Sequence, residues 1–361
     1  MSNNIFLSNS DSGGGIAFNV FKLAEEFTLT HKIAKTLILN DEFFKCLCNI
    51  IKVKDDTYLY STSAKCLILS CLAFLIRFPL RRKTFISQII YHPRFCDPNI
   101  SLFRRLIRTS LTLLPDENLY YYCDEAVLAS RIKKIDDVSS DNILGLCSMI
   151  DSIEDVSPPK ELKLAMKNYK LQICTIGRLV DFKLGSVLAL IDFAKKNQSV
   201  LLTIIGYGPL EATIIKKIKG QSNILFLGQR SITETKAIIK CCDLYVGMGT
   251  TLVDATTLNK KAVVAIESSD KGLTTGFFGE ADGVHYGEYI SGYDYHDLKD
   301  FLTKFAFDKQ LIRPKSLKPA WRKLIDSQSV LQKSSIIYTL MILFLLLVSM
   351  LLRPFIKNDY H

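Results

Sequence analysis

No CxxC pair and no Cys/His pairing at zinc spacing occurs in this chain, so the pattern of a structural zinc site is missing. No paired carboxylates, no Ser/His/Asp set and no metal constellation stand out either. The start, MSNNIFLSNS, lacks the basic opening and long apolar core of a signal peptide. Repeats of solenoid period and low-complexity tracts are absent as well. The ten cysteines sit mostly in apolar contexts such as Cys66, Cys71 and Cys174. Cys46/Cys48 and Cys241/Cys242 are too close in sequence for ordinary disulfides. Reduced, mostly buried thiols of a cytoplasmic protein are the expectation.

What is present is length, apolarity and positive charge. The 361 residues suit two medium domains, each with its own core. Hydrophobic residues make up 48%, and the mean hydropathy of +0.18 is high for a soluble enzyme. Part of the excess is Ser334–Leu352, nineteen residues without a charge, bounded by Lys333 and Arg353. That length nearly matches a hydrocarbon core of roughly 30 Å, so a transmembrane helix is expected there, with a buried core helix as the alternative. Arg313, Lys315, Lys318, Arg322, Lys323 and Lys333 precede the run and only Arg353 and Lys357 follow it. This asymmetry predicts a single-pass C-terminal anchor with the main body on the cytoplasmic side.

The net charge of +10 is not spread like a nucleic-acid footprint. It gathers at Arg77, Arg81, Arg82 and Lys83, at Arg104, Arg105 and Arg108, and before the apolar C-terminus. The first cluster follows CLILSCLAFLI. An apolar helix ending in cations suits an anionic membrane surface, or equally a core helix with a solvated basic end.

Along the chain, Asn4–Ser8 reads as a first strand running into NSDSGGG, with a helix from about Ile16 to Phe27. The turn, with Gly14 and Gly15 at the helix start, is a possible anion site, because free backbone N–H groups point outward there. Further elements are predicted near Thr36–Leu39, Leu67–Phe78 and Thr84–Tyr91, the last ending in His92-Pro93-Arg94. LYYYCDEAVLASRI reads as another strand leading into a helix. Ser157-Pro158-Pro159 is the best boundary. The domains are accordingly placed at residues 1–157 and 158–310, with a connector at 311–333, the apolar helix at 334–352 and a tail at 353–361.

The stretch from Gln172 to Glu267 is the most informative. ICTIGRLVDFKLG, LLTIIGYGPLE, NILFLGQR and DLYVGMGTTLVDATTLNKKAVVAIE alternate short apolar runs with helix-like segments. Such alternation predicts an α/β domain with a parallel sheet and ligands at the carboxyl ends of its strands. Arg178 can fork two phosphate oxygens, and Lys183 can supply a point charge. Gly206-Tyr207-Gly208 follows a strand, but Glu211 stands where a dinucleotide fingerprint needs its third glycine. Gly206 and Gly208 are expected to clear room for a ligand instead. Gly249, Thr250 and Thr251 open a helix whose N-terminus favours phosphate. Asp254, one turn in, could bond a sugar or ribose hydroxyl or merely favour the helix dipole. His92 could face a reacting sugar, though a lone histidine is as readily structural.

Taken together, these segments resemble the C-terminal donor-binding domain of GT-B glycosyltransferases of family 4, the "group 1" enzymes, over about a hundred residues. The GGG turn and IIYHPR fit the acceptor domain of that family more loosely. The resemblance implies two Rossmann-like domains facing a cleft, which holds a nucleotide-diphospho-sugar without a metal or other cofactor. It implies that Arg178 and Lys183 hold the diphosphate and stabilise the leaving group. It also implies phosphate support from the Gly247–Thr251 turn, a donor-sugar contact from His92, and retention of anomeric configuration. The sequence departs from the family at its two glutamates, where Val246 and Asp254 stand. The resulting expectation is a membrane-anchored transferase acting on a lipid-linked or other glycan acceptor in surface polysaccharide assembly, with nucleotide sugar and membrane as partners and no nucleic acid. The alternative is a catalytically inactive, membrane-anchored partner of the same fold.

Overall fold

In a strand, three consecutive apolar residues such as Ile5, Phe6 and Leu7 are all buried only when both faces are covered, because neighbouring side chains point to opposite sides. The protein, described from a computed structural model, uses them in this way. Residues 3–9, 15–30, 33–39, 42–91, 102–121, 144–146, 148, 157–268, 270–279, 286–289, 294–307 and 335–352 are described. Strand β1 (Asn3–Ser8) pairs in parallel with β2 (Ile33–Ile38) and β3 (Thr57–Ser61). Beyond β3 come β4 (Thr84–Ile90) and β5 (Leu119–Tyr121), also parallel. Phe6 packs on one face with Val20, Leu23 and Phe27 of helix α1 (Gly15–Leu29), stacking on Tyr60 at 4.6 Å. Ile5 and Leu7 pack on the other face with Leu47 and Ile50 of α2 (Phe43–Ile51) and Leu69 and Ala73 of α3 (Ala64–Arg77).

The chain divides into two compact units, residues 1–147 with 317–361, and residues 148–316. The division falls upstream of Ser157-Pro158-Pro159, and the C-terminal helix belongs to the first unit. In the second unit the strands are β6 (Leu171–Ile176), β7 (Val200–Ile205), β8 (Ile224–Gly228), β9 (Leu244–Gly247), β10 (Lys261–Ile266), β11 (Leu273–Phe277) and β12 (His296–Asp297). Their order is β12-β11-β10-β9-β6-β7-β8. From β10 to β8 the neighbours run parallel, whereas β11 and β12 add an antiparallel edge. The chain after Glu267 supplies that edge.

Helix α3 decides between two readings that the sequence left open. Nine of its residues are buried, Arg77 included, so this is a core helix and not a membrane-surface segment. Ser63 caps its start by accepting from the Cys66 N–H at 3.2 Å. Arg77 uses all five guanidinium N–H donors. Nε donates to Thr84 Oγ1, Nη1 to the carbonyls of Ile50 and Val53, and Nη2 to the Asp55 carbonyl and Thr57 Oγ1. Arg82 adds bonds to the Ile51 and Val53 carbonyls. Two cations of the supposed basic end thus tie the loop after α2 to the amino ends of β3 and β4.

The apolar C-terminal run corrects one expectation. It forms a helix over Ile336–Leu352, seventeen residues or about 26 Å long. Among the described residues no helix is long and apolar enough to cross a membrane. Ile342 and Leu346 are instead buried beside Cys71 and Phe74 of α3 and Ile107 and Leu111 of α4 (Leu102–Leu111). Apolarity alone allowed both outcomes, and packing against α3 and α4 decided between them.

Arg77→Lys is expected to lower the unfolding free energy by about 3 kcal/mol or more. Three donors on one nitrogen cannot reach five acceptors spread around a planar fork, and each stranded carbonyl costs roughly 1–3 kcal/mol. Urea unfolding followed by circular dichroism measures this, and an unchanged midpoint would show that the buried fork is dispensable.

Candidate functional site

In the second unit the chain begins in the middle of its sheet. It steps from β6 outward to β7 and β8, then crosses back to β9 on the opposite flank of β6. Loops leaving β6 and β9 therefore diverge, and a crevice opens at the carboxyl ends of the strands. A pocket occupies that position. Gly177 and Arg178 line it from the loop after β6, Lys183 and Ser186 from the helix Asp181–Lys196, and Gly247 and Met248 from the end of β9.

The loops after β6 and β7 continue the ladder of their strands. The Gly177 N–H donates to the Ile205 carbonyl at 3.0 Å, and the Leu179 N–H to the Tyr207 carbonyl at 2.9 Å. A Cβ on Gly206 would lie 1.9 Å from the Gly177 oxygen, and one on Gly208 2.5 Å from the Leu179 oxygen. Any side chain would push the loops apart. Gly206 and Gly208, assigned to a ligand from the sequence, thus make room for neighbouring backbone, and they lie outside the pocket lining.

Arg178 and Lys183 are brought together as expected. The Lys183 ammonium lies under Gly177, where an added Cβ would come within 2.9 Å of Nζ. Burial lowers the Lys183 pKa to about 8, the Arg178 charge adds to that, and Glu267 opposes it. Arg178 is exposed at the rim. Among the described residues neither side chain donates a hydrogen bond or forms an ion pair. Two adjacent cations with unused donors are complementary to an oxyanion that can accept from both.

The turn after β9 departs in detail from expectation. Gly249, with φ of +72°, precedes the helix Thr250–Thr257, whose first turn carries no acidic residue and no side-chain cap. That leaves a positive helix end toward the crevice. The Gly249 N–H, however, donates to the Tyr286 carbonyl at 2.6 Å. The Thr251 hydroxyl accepts from the Tyr245 hydroxyl at 2.6 Å and donates to the Met248 carbonyl at 3.0 Å. Thr250 is buried. Asp254 is buried too and accepts from the Ser148 hydroxyl at 2.8 Å. Val246, at the other position where the family pattern has glutamate, is buried in the core of the sheet.

Gly14 and His92 lie outside the described residues, and Gly15 is the first residue of α1. Two groups, Ser186 and Tyr245, escaped the sequence reading, and Glu267 ends the stretch it singled out. Ser186 stands on the same helix as Lys183 and lines the pocket. Glu267 follows β10, and its carboxylate accepts from the Tyr289 N–H at 3.4 Å. Tyr245, fully buried and held neutral as burial raises its pKa, supports the Met248–Thr251 turn from below. Ser186 was within reach of the sequence, standing three residues from Lys183 on one helix face. Tyr245 was not, since an aromatic residue in a buried strand reads as core.

No family model and no curated protein matches this sequence. Solved structures match in fold. HepE (Alr3699) of Anabaena, in complex with UDP and glucose, superposes with a TM-score of 0.55 at 14% identity, over 93% of this chain and 96% of that one. The same protein with UDP gives 0.53 at 13%, over 93% and 97%. With UDP-glucose it gives 0.51 at 14%, over 72% and 79%. The likeness shows a GT-B-like fold of two Rossmann-like α/β units.

If Lys183 meets a diphosphate, the bound anion holds its proton in place. Affinity for a diphosphate is then expected to be full below about pH 8 and to fall as pH rises through the free-state pKa of about 8. The limiting slope is about tenfold per pH unit. Calorimetric titration across that range should show this decline, and Lys183→Met should weaken binding and flatten the profile. A flat wild-type profile would place Lys183 outside the phosphate site.

Proposed function

We propose that this chain is a glycosyltransferase whose second unit holds a nucleotide-diphospho-sugar. The observation that carries this reading is the pair Arg178 and Lys183, adjacent and without hydrogen-bond or ion partners among the described residues, in the switch-point pocket. Their donors match the two phosphates of a nucleoside diphosphate, and the uncapped helix end at Thr250 adds positive potential nearby. The Anabaena structures, solved with UDP and UDP-glucose, support the same ligand class.

In the proposed reaction the bond from the anomeric carbon to the diphosphate oxygen breaks, and one from that carbon to an acceptor hydroxyl forms. The acceptor proton passes to the departing phosphate oxygen on the same face, which retains configuration. Negative charge grows on that oxygen in the transition state. Arg178 and Lys183 meet it with fixed charge and need no metal for this step. The acceptor is proposed to be a membrane-associated, lipid-linked glycan of surface polysaccharide assembly, a reading supported by the apolar C-terminal helix.

A second reading has its own support. Val246 is core, and the Asp254 carboxylate already accepts from Ser148. Neither position offers a free glutamate for a donor sugar. A non-catalytic partner that keeps the fold is consistent with that.

Incubating the full-length chain and membranes with labelled nucleotide sugars separates the two. Transfer of label into lipid extract is expected, and Arg178→Ala should reduce its rate by about 100-fold or more. Nucleotide binding without transfer from any donor would favour the non-catalytic partner. Transfer that Arg178→Ala leaves untouched would remove this pocket from the reaction.

A further inference from the structure

The C-terminal helix is amphipathic in the inverted sense. Its buried stripe is Thr339, Ile342, Leu346 and Ser349, spaced by three, four and three residues. Its outward stripe is Ile337, Leu340, Phe344, Leu347 and Leu351, exposed by 65%, 51%, 66%, 47% and 71%. The helix thus turns its two buried hydroxyls toward the protein and its bulky apolar groups away. Those hydroxyls donate to their own helix backbone, Thr339 to Ser335 and Ser349 to Leu346, both at 2.7 Å. A helix selected to face water shows the opposite arrangement. Such a continuous apolar stripe marks a contact surface.

Charge identifies the occupant. Helix α4, which packs alongside, carries Arg104, Arg105 and Arg108 and no acidic residue, with Leu102 and Arg105 exposed. From residue 311 to the end the sequence holds eight Lys or Arg and two Asp. A second copy seated on this face would bring like charges together. An anionic bilayer surface complements both features, since acyl chains accept the stripe and headgroups accept the arginines.

We propose that the Ile336–Leu352 helix docks the first unit on an anionic membrane in the plane of its surface, with the Ile337–Leu351 stripe immersed and α4 at the headgroups. Such docking differs from a spanning anchor, because α3 and α4 already cover the opposite side of the helix. It goes beyond the proposed transfer reaction and stands whether or not the second unit transfers sugar.

Flotation of the full-length chain with vesicles tests this. With phosphatidylcholine and phosphatidylglycerol together the protein should float, less so with phosphatidylcholine alone and less at high salt. Replacing Leu340, Phe344 and Leu347 together by Gln should lower the floated fraction more than about tenfold at an unchanged circular dichroism melt. Arg105→Gln, which leaves the stripe intact, should weaken binding to the anionic vesicles only. Wild-type protein that ignores both vesicle types overturns the proposal. So does a triple variant that floats normally while a wild-type dimer becomes monomeric in sedimentation. Protease cleavage of the C-terminal tail only after the vesicles are opened would show a spanning helix and overturn it too.

Discussion

Two loop backbones within hydrogen-bonding reach of each other set the geometry of the second unit's pocket. The Gly177 and Leu179 amides bond to the ends of β7, and that approach leaves no space for a Cβ at residues 206 or 208. Once the loop after β6 is held in this way, Arg178 stands at the rim and the next helix starts at Asp181. Lys183 then projects back under Gly177. Its lowered pKa follows from the same placement, because an ammonium enclosed by protein and next to a guanidinium is less stable charged than in water. An oxyanion that accepts from both groups would relieve both penalties at once.

Polar groups are treated differently in the two units. In the second, neither Arg178 at the rim nor the buried Lys183 donates a hydrogen bond among the described residues. In the first, Arg77 spends every donor on carbonyls and hydroxyls beneath the sheet, and the hydroxyls of the C-terminal helix close on their own backbone. A satisfied buried guanidinium is a structural brace, whereas two neighbouring cations with donors to spare are complementary to an oxyanion. Residue type did not distinguish the two uses, since Arg77 and Arg178 each follow an apolar run.

Much of the fold was legible. The alternation from Leu171 to Ile266 was readable as short apolar runs separated by helix-like segments, because each strand is a short buried run. Other elements were not. Strand β3, TYLYS, is five residues with hydroxyls at its ends, and it becomes a central strand only because β1 and β4 flank it. The antiparallel edge at β11 includes a Gly and two Thr, which read as loop until β10 offers its free side. The candidate site was half legible. Arg178 and Lys183 announced themselves by position, yet the uses of Gly206, Gly208 and Thr251 depend on neighbours far along the chain.

By itself the sequence determined the local matters. These were the αβ alternation, the strand-end glycines, the cations after β6, the apolar C-terminal run and the excess of positive charge. Each is set by residue type and by spacing along a helix or strand. Only the tertiary structure decided which cation is buried and satisfied, which backbone each glycine admits, and where the C-terminal helix lies. Those outcomes depend on groups distant in sequence meeting in space. A run of nineteen uncharged residues is equally suited to a bilayer and to a core until α3 and α4 take one of its faces.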